Sequence, residues 1–247
     1  MAINTAFIKS SSTILKRPSD RSIFLAAAIG FPLIVVIGFS QSYFSRLFFD
    51  APPLPNALVH LHGLTMMLWV VFFIMQIALV RIKNVRLHRT LGMIGAGLAA
   101  VVFTVGLLTA YDSQFVRHAA PPGIDPHKFF LIPAFDMALF ALFVGGAVYY
   151  RKRPAEHKTL MLLTVFNFLG SPVSRIPLGP PEYTMVWAFG VPAALALGFF
   201  VWYSVKHGKI NKVFAAGLTL FLASLPLRFM IAETETWLRI ADRLAPR

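Results

Sequence analysis

Apolar runs of about twenty residues recur from one end of this chain to the other, a length that lets a helix cross a bilayer. That recurrence constrains the fold more than any other feature. Inside the hydrocarbon core every backbone N–H and C=O must be bonded, which leaves helices or closed barrels. The alternating strands of roughly ten residues that mark a barrel are absent. Hydrophobic residues make up 57% and charged residues only 13% of the chain, whereas soluble domains carry about 25% charged residues. The sequence therefore reads as an all-α polytopic membrane protein, a seven-transmembrane helix bundle. Its spans fall at 23–44, 58–80, 91–110, 129–150, 159–175, 184–205 and 213–231. A basic tail at 1–22 precedes this domain of 23–231, and a tail at 232–247 follows it. The first run is too long for the core of a signal peptide and reads as a retained span.

Charge sets the orientation. The segments 1–22, 81–90, 151–158 and 206–212 hold fifteen of the 23 Lys/Arg but only Asp20 and Glu156 of the ten acids. The positive-inside rule puts these segments, and the N-terminus, in the cytoplasm, and the C-terminus outside. The whole formal net charge of +13 then faces inward. Topology and anionic lipid account for it, so no nucleic-acid partner is implied. The chain has no cysteine. That removes disulfides, iron–sulfur clusters, thiolate metal sites and covalent c-type haem. Any metal must be held by His, Asp, Glu or Met.

The stretch from His60 to Gly92 organises the chain: two histidines, a span, a basic loop and a third histidine. His60 and His62 in HLHG would chelate one metal in an extended segment. On a helix, residues two apart point about 200° apart. His62 then faces inward with Met66, Trp69, Phe73 and Gln76, and His60 faces the outer loop. Asp136 lies seven residues into the fourth span, where an unpaired carboxylate is costly. With Arg175, Trp69 and Gln76 it forms an expected intramembrane polar cluster. Its expected partner is His62 or Arg175, with Arg228 a further candidate at that level. The pairing is open between a structural ion pair and a proton- or metal-handling carboxylate.

His88 and His157 stand at the inner ends of two spans. Side by side they would ligate one haem b, or a metal ion, with Arg89 and Lys158 near the propionates. Alone, each is an ordinary headgroup-level histidine. His207, in KHGK, reads as loop. His118 and His127, with Asp112 and Asp125, are an outer candidate for a metal. Thr164, Asn167, Ser171 and Ser174 form a polar stripe on the fifth span, either helix glue or the lining of a hydrated cavity. Gly92, Gly95, Ala99 and Gly106 give the third span one small-residue face for close helix approach. LHRTLG at 87–92 and EHKTLM at 156–161 suggest that spans two–three and four–five are related hairpins.

HLHG, the Trp- and Gln-bearing span, LHRTLG, the Asp136 helix, RKRPAEHKTLMLL and SRIP occur in that order. Over roughly residues 55–178 the pattern resembles a group of uncharacterised bacterial inner-membrane proteins. The resemblance implies a bacterial inner membrane and brings no activity with it. Histidines at helix starts are also similar, generically, to membrane b-type cytochromes. No phosphate loop, HExxH pair or nucleophile elbow is present. Three functions remain open: a membrane redox or metal-binding protein using histidines, a small proton-coupled transporter using Asp136 and Arg175, and a non-catalytic subunit of a larger membrane complex.

Overall fold

The structure is a computed structural model that describes residues 20–44 and 54–246. Most of the expected N-terminal tail (1–19), most of the first outer loop (45–53) and Arg247 lie outside the described residues. The described residues form no strand. They contain eight helices of ten residues or more: α1 (Arg21–Phe39), α2 (Ala57–Arg81), α3 (Val85–Tyr111), α4 (Leu131–Tyr149), α5 (Pro154–Phe168), α6 (Thr184–His207), α7 (Lys212–Ala232) and α8 (Glu235–Leu244).

Five helical stretches are long and apolar enough to cross a membrane: Ala57–Arg81, Val85–Val116, Pro126–Tyr149, Pro181–His207 and Lys212–Ala232. Only 22% to 39% of their apolar windows is buried. The rest faces outward as a broad apolar surface of the kind that lipid, not water, accommodates. Seven spans of equal standing are not what forms. The apolar part of α1 is short, at Ile23–Phe39. The fifth expected span, 159–175, breaks in two: α5 stops at Phe168, and a single turn, Gly170–Val173, follows. Pro172 causes the break, since proline has no N–H to donate and its ring crowds the preceding turn.

Asparagine side chains start three of the helices. Asn56, Asn84 and Asn211 accept from the backbone N–H of Val59, Leu87 and Phe214, each satisfying one of the donors a helix start leaves unpaired. Beyond Tyr111, α3 widens into a π-turn, Asp112–Val116. Asp112 is held there by Arg117 at 2.7 Å and by the amide of Asn56 at 2.9 Å, which ties the end of α3 to the start of α2.

The hairpins α2–α3 and α4–α5 pack side by side through α3 and α4, and α7 lies against α4, α5 and α6. Gly95 of α3 is buried against the Phe72 ring of α2, and Gly106 against Met137 of α4. Gly92, expected on the same packed face, has open space where a side chain would go. At Gly38 a Cβ would collide with the backbone of Pro172. Backbone cannot swing aside as a side chain can. Gly38→Ala should therefore loosen α1 and lower the melting temperature, and Gly95→Leu should do so by overpacking, at about 1–3 kcal/mol. Gly92→Leu should leave thermal unfolding in detergent nearly unchanged.

Candidate functional sites at the two ends of the bundle

The residues of chemical interest separate into two groups, one at each end. At the end where α4 begins and α7 finishes, Asp136 faces the protein interior. Its partner is Arg228 of α7, Nη1 to Oδ1 2.9 Å, rather than His62 or Arg175. Arg228 is only 1% exposed. It also donates to the Ser224 carbonyl at 3.2 Å, the Ser224 hydroxyl at 3.1 Å and the Ile132 carbonyl at 3.4 Å. The rings of Phe135 and Phe189 lie 5.7 and 5.2 Å from the guanidinium carbon. Asn167 of α5 donates to the Asp136 carbonyl at 2.8 Å, while its own side-chain oxygen has no partner in the protein. Asp136, Asn167 and Arg228 border a cavity of about 10 Å³, at the lower limit for one water.

Arg175 sits apart from this group. It donates to the Ser171 carbonyl at 2.6 Å and lies over the Phe39 ring at 4.6 Å, so it serves the rim between α1 and the broken end of α5. The expected polar stripe divides accordingly. Thr164 and Asn167 are buried, while Ser171 is exposed beside Arg175. His62 is half-buried and its Nδ1 has no partner. His60 is exposed and its ring lies 6.4 Å from that of Tyr43. Both belong to α2, so they cannot converge on one ion. Trp69 is buried edge-on against Phe140 at 5.0 Å, with its indole N–H unpartnered. No group of three or more His, Asp or Glu is brought together among the described residues. That includes the outer candidate: the His118 and His127 rings are 6.0 Å apart, but Asp112 is engaged by Arg117, and Asp125 caps a helical turn at Lys128.

At the opposite end, His88 and His157 do meet, with ring centres 6.1 Å apart and ring planes at 83°. Each is the fourth residue of its helix, α3 and α5. The Nδ1 of His157 lies 2.9 Å from the Ala147 carbonyl of α4. Gln76 of α2 belongs here and not with Asp136. With its amide turned so that the nitrogen faces His88, it reaches His88 Nδ1 at 2.5 Å and the His88 carbonyl at 3.2 Å, and its oxygen accepts from Gly92 N–H at 3.3 Å.

A third contact at this end was not legible in the sequence. Asp20, just before α1, is 8% exposed and bonds both Lys158 of α5 and His207 of α6, the latter at 2.8 Å. His207 is thus no free loop residue; its ring also lies 4.3 Å from Tyr203. Lys158 is engaged by Asp20 and by the rings of Phe24 and Tyr203. The start of α1, the α4–α5 and α6–α7 loops and the His88 turn therefore share one end, as the charge pattern predicts.

Neither a protein-family model, nor a curated protein, nor a solved structure matches this chain.

Two outcomes follow from these contacts. Removing one partner of a buried ion pair strands the other, at about 3–5 kcal/mol. Asp136→Asn and Arg228→Gln should each lower the melting temperature strongly. The double variant should recover part of the loss, and Arg175→Gln should cost far less. The second concerns acid. Burial pushes the Asp20 carboxyl up, but the bonds from Lys158 and His207 outweigh it and hold the group below the usual carboxylate range. A carboxyl whose pKa is lower in the folded state adds stability above its unfolded value of about 3.9 and loses it as pH falls through the folded value. Asp20→Asn should flatten the acid limb of thermal stability measured against pH.

Proposed function

We propose that this chain is an integral protein of a bacterial inner membrane, crossing seven times with its N-terminus in the cytoplasm, and that His88 and His157 carry a redox centre on its inner face. The seven crossings count α1 and the α5–Val173 segment with the five long helices. The observation that carries the reading is the meeting of the two imidazoles.

Half of their 6.1 Å separation is about 3 Å. That is one metal–nitrogen bond of about 2.0–2.1 Å plus the step from an imidazole nitrogen to its ring centre. The Ala147 carbonyl fixes the His157 tautomer with its proton on Nδ1, leaving the Nε2 lone pair free, the support that ligating histidines usually have. Two imidazoles fall short of the four ligands of a structural zinc site, and no third protein ligand joins them among the described residues. A haem brings its own in-plane ligands and asks only for axial ones. Haem b is thus the cofactor whose needs match this donor set once the Gln76 amide presents its oxygen, not its nitrogen, to His88 Nδ1. Bound there, it would supply one-electron chemistry, with Arg89, which forms no ion pair among the described residues, as a cation for a propionate.

A second reading of the same pair is proton handling, and the Gln76 amide favours it. In the orientation that satisfies all three of its contacts, the amide donates to His88 Nδ1 and leaves the His88 proton on Nε2. A donor on His88 then stands beside an acceptor on His157. The opposite amide orientation frees His88 Nε2 as a ligand.

Absorption and metal analysis of the purified chain decide between them. A Soret band with bound iron is expected, lost in His88→Ala and in His157→Ala and kept in His62→Ala. A colourless, iron-free protein rejects the haem. The proton reading then requires the two histidines to titrate as a coupled pair by nitrogen NMR, and independent titration rejects it.

A further inference from the structure

The contact between His88 and His157 also brings two basic loops together. One carries Arg81, Lys83, Arg86 and Arg89, all exposed. The other begins Arg151-Lys152-Arg153, exposed as well. Asp20, the buried acid at this end, is occupied by Lys158 and His207. Among the described residues no carboxylate forms an ion pair with any of the seven loop cations. Like charges gathered on two turns that flank one ring contact repel, and the field they create draws in anions.

The residues between the cations identify the anion. Ile82, Val85 and Leu87 alternate with the bases and are 69%, 43% and 41% exposed. Tyr149, at the mouth of the second loop, is 77% exposed. Beside it, the Arg153 guanidinium lies 5.7 Å from the centre of the Tyr150 ring. Basic heads interleaved with outward apolar side chains and tyrosines suit the headgroup level of a membrane. A free phosphate would use the charges and leave the apolar surface in water.

We propose that the 81–89 and 151–153 loops together form a binding site for the phosphate headgroup of an anionic phospholipid. The site rests on the membrane reading of the chain; it shares Arg89 with the proposed haem, so its test uses Arg86 and Lys152, and the absorption test of the histidines reads separately.

The experiment uses the full chain in neutral detergent, with melting temperature followed as lipid is added. Phosphatidylglycerol should raise it, phosphatidylcholine should not, and added salt should diminish the rise. Each base removed should weaken apparent affinity for phosphatidylglycerol roughly fivefold, in Arg86→Gln, in Lys152→Gln and multiplicatively in the pair. Arg239→Gln with Arg243→Gln, on α8 at the opposite end, should leave it unchanged. These variants lie on exposed positions. Mass spectrometry of lipid retained by the untreated protein gives a readout that needs no variant, and phosphatidylglycerol enriched over phosphatidylcholine is expected. An equal response to phosphatidylcholine overturns the proposal. So does an equal response to inorganic phosphate, which would mark a soluble-anion site, or an equal loss in the α8 variant.

Discussion

A guanidinium sealed among four helices is the constraint on which one half of this bundle depends. Taking an arginine and a carboxylate out of water costs several kcal/mol per ion even after relaxation. Their attraction offsets that only if the remaining donors are satisfied. Arg228 meets the condition by drawing one element from each neighbour: Asp136 and the Ile132 carbonyl from α4, Ser224 from its own helix, and the Phe189 ring from α6. Asn167 adds α5 by bonding the Asp136 backbone. A rotation of any one helix would strand a buried polar group. The contact thus acts as a register mark in a bundle whose other contacts are largely apolar and would tolerate slippage.

The end that holds the imidazole pair is built differently. Its ties are made by side chains at the first and last turns of helices, where water and headgroups reach. Asp20 joins α1, α5 and α6; the imidazole pair joins α3 and α5; Gln76 joins α2 to the same turn. His88 and His157 are half-buried here. They are firmly placed yet open enough to exchange a proton or take a ligand, unlike Arg228, which is 1% exposed.

How far the sequence could be read follows from this geometry. Depth along each helix was legible, because hydropathy and the asparagine caps mark where helices start. His88 and His157 could therefore be assigned to one end, and Asp136 to a level that Arg228 shares. Rotation was not legible, because these helices are apolar nearly all round and carry no strong stripe to say which side faces in. Gly92 and Gly95 are spaced to share a face, yet only Gly95 is buried. Gln76 follows Trp69 on one face, but seven residues carry it about 10 Å along the helix, into the histidine turn. Ser224 and Arg228, four apart on one helix, were the available signal for the true partner of Asp136. Asp20 had no signal at all, because its partners Lys158 and His207 lie near the ends of two distant helices, and hydropathy does not say how those ends meet.

The two polar groups share a helix, and what lies between them limits any joint action. Asp136 stands near one end of α4, and Ala147, whose carbonyl orients His157, stands eleven residues on, about 16 Å along the axis. Between them α4 buries Met137, Leu139, Phe140, Phe143 and Val144. Phe140 is packed in turn against Trp69 and Phe168, at 5.0 and 4.8 Å. The unpartnered oxygen of Asn167 lies with Asp136 and Arg228, whose cavity holds about one water. A continuous polar path through the bundle would have to open these aromatic contacts. The carrier reading, which needs such a path, also loses the Asp136–Arg175 pair on which it was founded. The geometry instead separates two environments: an ion pair with a sealed guanidinium that fixes how the helices meet, and a half-buried imidazole pair near basic side chains that form no ion pair among the described residues.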